Sequence, residues 1–268
     1  ELGRTPRIDD LVDVPPDDLV EAARTITTRL PRRGRRWGAV AHTPTPFSPV
    51  VESPWAALGD GTAQDVELLI GHTRDEFSLL ATRLGGIGET EVDTLIDGLT
   101  PTPGAQRYRA AYPSVPPNVL RDTALSDWLY RMPAIHLAEA AHAGGARVWV
   151  YELCWGFGSA GASHGLDTLL VFGTAHINTG LTEAGREAMA QARQLGDLIR
   201  SEHLSFATTG DPGWPRHEPH DRATRSYDTT STVDRYPEES SRRIWRDQRF
   251  GTLERSGPRG PVQHHGGA

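Results

Sequence analysis

Two nearly uninterrupted apolar runs, VELLIG at residues 66–71 and RVWVYELCW at residues 147–155, constrain this chain more than any other feature. A strand with one wet face alternates apolar and polar side chains. A strand covered on both faces does not alternate, and such strands belong to parallel sheets sandwiched by helices. Between and after the two runs, apolar residues recur at helical spacing. The order strand, helices, strand, helix predicts an α/β fold.

The remaining elements follow from spacing and punctuation. Pro15, Pro16, Asp17 and Asp18 introduce a helix with Leu19, Ala22, Ala23, Ile26 and Leu30 on one face. Three prolines within 43–49 exclude helix and predict an extended segment. Ser53 and Pro54 begin a short helix that Gly59 and Gly61 end. A helix is expected from 74 to about 83, and a long helical region over 118–142 is interrupted at Pro133. The strongest amphipathic pattern covers 182–206, with Ala188, Ala192, Leu195 and Ile199 on one face. Residues 210–220 are turn-rich, 224–228 form a short final strand and 237–245 a final helix.

Only two or three strands are visible, few for 268 residues of this class. The two buried runs need neighbours on both sides, and the sequence shows none. With Glu1 rather than Met at its start, the chain reads as part of a larger sheet. Residues 1–253 are expected to form one portion of a domain, and residues 254–268 a disordered tail.

Composition excludes several classes. A net charge of −7 with no basic stripe argues against a nucleic-acid partner. The cluster Arg32, Arg33, Arg35 and Arg36 reads as a solvated basic turn. No run reaches the roughly 18 apolar residues of a membrane span. The single cysteine, Cys154, rules out an internal disulfide and reads as a buried, inert thiol. His217 with His220, and His264 with His265, lack a third ligand of fitting spacing, so no metal is expected. With 28 glycines and 20 prolines the chain exceeds the usual combined share of roughly 12% and is loop-rich.

Chemistry is expected in the loops after the two buried strands, because open parallel sheets bind ligands outside the carboxyl ends of their strands. The first loop is Gly71 to Phe77 and the second Gly161 to Asp167. They place Glu76 and, further along, His164 in the order in which hydrolases of this general architecture supply the acid and base of a triad. The carboxylate would hold the imidazole in one tautomer, and the imidazole would carry the proton.

A wider set of matches makes the chain resemble the type-B carboxylesterases, the group of the cholinesterases and para-nitrobenzyl esterases. The acid of that family lies in G-x-N-x-D-E, matched by Gly71-His72-Thr73-Arg74-Asp75-Glu76. Its base opens H-G/A-x-E-L-P-F-V-F-G, matched by residues from His164 to Gly173. Further matches are Ser126-Asp127-Trp128 with Arg131-Met132-Pro133-Ala134, Phe206 to Pro212, and Trp214-Pro215. The resemblance implies the C-terminal portion of an α/β-hydrolase fold and hydrolysis of small carboxylic esters by a Ser-Glu-His triad without cofactor. It implies Glu76 as acid, His164 as base and Asp167 as a supporting carboxylate. Phe77, Leu79, Leu80 and Trp155 become candidates for a substrate pocket, or ordinary core.

Departures accompany the matches. Thr73 stands for the usual Asn, Asp167 for a Glu and Leu169 for a Pro. The glycine-rich oxyanion loop and the G-x-S-x-G nucleophile elbow, which in the family precede the acid, do not precede Glu76 here. The N-terminal half of the fold is then the implied partner. Gly161-Ala162-Ser163-His164-Gly165 satisfies G-x-S-x-G literally, but its strand stops several residues earlier. Three readings therefore stand open: a piece of an active esterase, a non-catalytic remnant binding a partner through its sheet edge, and a free-standing hydrolase using Ser163. Substrate identity, oligomeric state and compartment are not legible.

Overall fold

The computed structural model describes residues 14–29, 53–82, 84–174 and 183–248. The extended segment at 43–49, the arginine cluster at 32–36, the tail at 254–268 and the pair His264 and His265 lie outside them. The chain divides into two compact units, residues 1–51 with 252–268, and residues 52–251. The first contains helix α1, Pro16–Arg29, with Asp17 and Asp18 in its first turn and Arg29 in its last, as the helix dipole favours.

The second unit carries a four-stranded sheet in the order β1 (Leu68–Thr73), β2 (Val148–Leu153), β3 (Ala223–Tyr227), β4 (Thr232–Arg235). The first three strands are parallel and β4 is antiparallel to β3. β2 thus has both neighbours within the chain, contrary to the expectation that both buried runs would lack them. Among the described residues only β1 and β4 are edges. The edge strand β4 is exposed at every position, whereas β1 is half-buried.

Period-two alternation sends Trp149, Tyr151 and Leu153 to one face of β2 and Val148, Val150 and Glu152 to the other. The first face packs, with Tyr227 and Trp214, on Ala192, Leu195 and Ile199 of the long helix Glu183–Thr209. The apolar stripe expected on that helix is the stripe it buries. Each fully buried side chain of this kind, such as Leu153 or Ile199, contributes about 1.5–3 kcal/mol. The opposite face meets the helix Met132–Ala143, whose Ile135, Ala138 and Ala141 are buried.

In chain order the helices after α1 are α2 (Pro54–Gly59), α3 (Ser78–Ala81), α4 (Glu89–Leu99), α5 (Gly104–Ala111), α6 (Pro117–Ser126), α7 (Met132–Ala143), α8 (Leu166–Val171), α9 (Glu183–Thr209) and α10 (Glu239–Trp245). Two differ instructively from expectation. The helix expected from residue 74 is only the single turn α3, because the amides before it are committed elsewhere. Those of Arg74 and Asp75 donate to the carbonyls of Leu153 and Ala162, and that of Phe77 to Ser126 Oγ. The break expected at Pro133 is instead a π-helical turn, Asp127–Arg131, just before it. Pro133 is the second residue of α7, which runs on directly from the π turn through helical Arg131 and Met132. The wider turn spares its ring the clash with the carbonyl four residues earlier.

Candidate active site

Because β1 and β2 are parallel neighbours, the chain leaves both at the same end of the sheet. The segments that follow are joined by Asp75. Its amide donates to the Ala162 carbonyl at 3.0 Å, and its Oδ2 accepts the Ala162 amide at 2.9 Å. A single-residue parallel bridge pairs Asp75 with Ser163. The acid turn and the base loop are thereby zipped together, with Glu76 and His164 each one residue beyond the zip.

Glycine makes that approach possible at two places. Gly161 has φ 57° and ψ −148°. A Cβ there would lie 2.4 Å from Asp75 Oδ2, while Gly156 approaches the Gly161 backbone so closely that its Cβ would stand 2.0 Å from a carbonyl carbon. In β1, a Cβ on Gly71 would meet the ring of Tyr151 at 2.5 Å, so the ring lies flat over the glycine. From there the Tyr151 hydroxyl donates to Asp167 Oδ2 at 3.0 Å.

The Glu76 carboxylate is buried and divides its oxygens between two donors. Oε1 accepts the Thr73 amide at 2.8 Å, and Oε2 lies 2.6 Å from His164 Nδ1. Burial pushes the Glu76 carboxyl up from its ordinary value, and the Thr73 amide and His164 pull it back. A carboxylate can only accept, so the proton in this contact belongs to Nδ1, which leaves Nε2 as an acceptor. The His164 side chain is 53% exposed and the Glu76 side chain 6%. An imidazole held from behind by a buried carboxylate, with no partner at its other nitrogen among the described residues, can act as a general base.

The other candidates are placed as follows. Asp167 lies in the first turn of α8, accepts from the Tyr151 hydroxyl at 3.0 Å and accepts the amide of its neighbour Thr168 at 2.7 Å. Phe77 is buried beside the acid, with its amide on Ser126 Oγ at 3.0 Å. Leu79 is exposed and Leu80 half-buried on α3. Trp155 lies in the core packed against α9, and its indole N–H donates to Gln191. Its neighbours are thus on α9, away from the Phe77 amide, which is held by Ser126 at the end of α6. His217 is buried against the Ala223 carbonyl, and His220 is exposed beside Glu218 and Asp221. Among the described residues no three His, Cys, Asp or Glu side chains converge as a metal site.

Sequence reasoning missed two residues that shape this corner. The zip made by Asp75 and the ring of Tyr130, 4.5 Å from the His164 imidazole, are products of tertiary approach that no local pattern announces.

No protein-family model matches the chain. A curated relative, the para-nitrobenzyl esterase of Bacillus subtilis (strain 168), is 28% identical over 246 residues, which is 88% of this chain and 49% of that protein. A solved PNB esterase structure superposes with a TM-score of 0.66 at 27% identity, covering 88% of this chain and 50% of its own. A thermophilic PNB esterase superposes at 0.65 and 26% identity, over 88% and 49% of the two chains. The chain spans about half the length of these relatives. Built as an incomplete sheet of the α/β-hydrolase fold, it is homologous to para-nitrobenzyl esterase, as the resemblance to type-B carboxylesterases requires.

Proposed function

We propose that this chain supplies the acid and base of a carboxylesterase triad, with Glu76 as acid and His164 as base, and that the serine and oxyanion donors belong to the other half of the fold. The observation that carries the reading is the 2.6 Å contact between Glu76 and His164 at the same end of two neighbouring parallel strands. Homology to para-nitrobenzyl esterase over 88% of the chain supports esters of carboxylic acids as the substrate class.

In this scheme His164 Nε2 removes the proton from the serine hydroxyl as its oxygen attacks the ester carbonyl. Glu76 holds Nδ1–H and stabilises the imidazolium. The imidazolium returns the proton to the departing alcohol, leaving an acyl-enzyme, and water activated by the same imidazole then releases the acid and restores the serine. Asp167 supports the corner through Tyr151, whose ring covers the strand just before Glu76. The edge of β1, unpaired among the described residues, is where the other half of the sheet pairs in this scheme.

The test is hydrolysis of a para-nitrophenyl ester by the chain alone and after addition of a type-B esterase N-terminal half bearing the serine elbow. Turnover is expected only from the two together, and not with His164→Ala. Esterase activity of the chain alone contradicts the reading. Association of the two halves without turnover favours a non-catalytic, partner-binding remnant.

A further inference from the structure

We infer that the π-helical turn Asp127–Arg131, with Ser126 before it, is the device that orients the acid and base, and that Tyr130 is the positioning residue of the His164 imidazole. The inference rests on the assignment of Glu76 and His164 as acid and base.

The turn touches the site at three points. Ser126 Oγ accepts the amide of Phe77 at 3.0 Å, immediately after the acid. Arg131 donates to the carbonyl of Arg74 at 3.0 Å, two residues before it. The acid turn is thus gripped on both sides of Glu76. Between these grips, the ring of Tyr130 lies 4.5 Å from the imidazole of His164, with an interplanar angle of 35°.

The turn itself is anchored from behind. Arg131 is buried, bonds Asp127 Oδ1 at 2.8 Å and lies 3.3 Å from Glu238. Asp127 Oδ2 accepts the Tyr108 hydroxyl at 2.7 Å. A π turn places its side chains differently from a regular helix, and such insertions concentrate at functional sites. Here the insertion sets Tyr130 against His164 while keeping Arg131 in its anchor.

Geometry explains why the base needs Tyr130. The contact between Nδ1 and Glu76 fixes one atom of the ring and leaves the half-exposed imidazole free to tilt about it. An aromatic ring held against it, tilted by 35°, removes that freedom and sets the plane, and hence the direction, of Nε2. The aromatic face, not the hydroxyl, does this: Tyr130 Oη is buried without a hydrogen-bond partner among the described residues. Phenylalanine should therefore serve as well.

The full chain, labelled with ¹⁵N-histidine, provides the test without any activity. Tyr130→Phe is expected to leave the His164 ring signals and its Nδ1–H tautomer unchanged. Tyr130→Leu and Tyr130→Ala are expected to lose the ring-current displacement of the His164 carbon-bound protons and shift its nitrogens toward a tautomer mixture. The signals of buried His72 and His217 should stay in place and report the fold. Should the alanine variant move those as well, the leucine variant, which keeps more of the volume, decides alone. Unchanged His164 signals in Tyr130→Leu, or equal perturbation by phenylalanine and leucine, overturn the inference. Glu76→Gln tests the underlying pair separately: an unaltered tautomer there refutes the acid–base assignment, while the ring-current displacement still reports on Tyr130.

Discussion

Two histidine–glutamate pairs in the unit have a buried carboxylate, and they differ in kind. At the corner described above, Glu76 meets His164 at 2.6 Å, with the imidazole half-exposed. Directly across the pairing of β1 and β2, His72 faces Glu152 at 3.7 Å, and both are fully buried. In the second pair the histidine is satisfied by other groups. Its Nδ1–H donates to the Thr73 carbonyl at 3.2 Å, and its Nε2 accepts the Tyr236 hydroxyl at 3.0 Å. Burial, aided by the Arg131 charge, lowers His72 to about 3. Burial, then the charge of Glu238, raises Glu152 to about 8. Both side chains are therefore neutral near neutral pH and serve as packing with polar edges. The lesson is that chemistry depends on the second nitrogen: His164 keeps one open, and His72 has none.

The comparison is broken most severely by exchanging function between the pairs. In an assembly that supplies the serine, Glu76→Gln is expected to lower kcat about 10⁴-fold by losing the imidazole tautomer. Glu152→Gln is expected to leave it within a few-fold. Steady-state hydrolysis with matched protein concentrations decides, and equal losses in both variants contradict the distinction.

Next in size is the dependence of stability on pH. Between pH 6.5 and about 3 the unfolded chain protonates His72 and the folded chain does not, so stability falls as pH drops through that window. Between pH 4.5 and about 8 the folded chain keeps a proton on Glu152 that the unfolded chain has released, so stability falls as pH rises. Glu152→Gln should flatten only this fall above pH 4.5, by several kcal/mol. Urea midpoints across the range measure it, and an unchanged fall there refutes the protonated Glu152.

Smaller effects sharpen the picture of the corner. Gly161→Ala forces an alanine to φ 57° and into the Asp75 carboxylate, and is expected to cost about 1–3 kcal/mol and to loosen the Asp75 zip. Hydrogen exchange at the Ala162 amide reports that loosening directly. Asp167→Ala removes the acceptor of Tyr151 and of the Thr168 amide in the first turn of α8, and is expected to cost about 1 kcal/mol, with less than a tenfold change in turnover.

Much of the framework was legible before the structure because it rests on one-dimensional patterns. The runs that became β1 and β2 and the stripe Ala188, Ala192, Leu195, Ile199 owe their burial to side-chain type and period alone. Strand β1 begins two residues later than the apolar run, since the Val66 amide closes a turn on Ala63 and Val66 is exposed. Helices α4 and α5 gave little signal: α4 buries only Val92 and Ile96 among mostly polar residues. Strand β4 is invisible to hydropathy because all four of its residues are exposed and backbone pairing to β3 holds it. At the site, Glu76 and His164 each follow an apolar strand, and the resemblance to type-B carboxylesterases singled them out. The π turn, the Asp75 zip and the buried His72–Glu152 pair depend on approaches between distant segments, which spacing does not encode.

The most direct measurement is labelling with a fluorophosphonate serine probe, mapped by peptide mass, on the chain alone and on the chain joined by an N-terminal esterase half. Ser163 sits in the bridge to Asp75, beside His164 in sequence and without an oxyanion loop preceding Glu76 to assist it. The expected result is no label on the chain alone, label on the elbow serine of the joined assembly, and its loss in His164→Ala. Stoichiometric label on Ser163 in the chain alone, abolished by Ser163→Ala and by His164→Ala, would contradict the division of the triad between two halves.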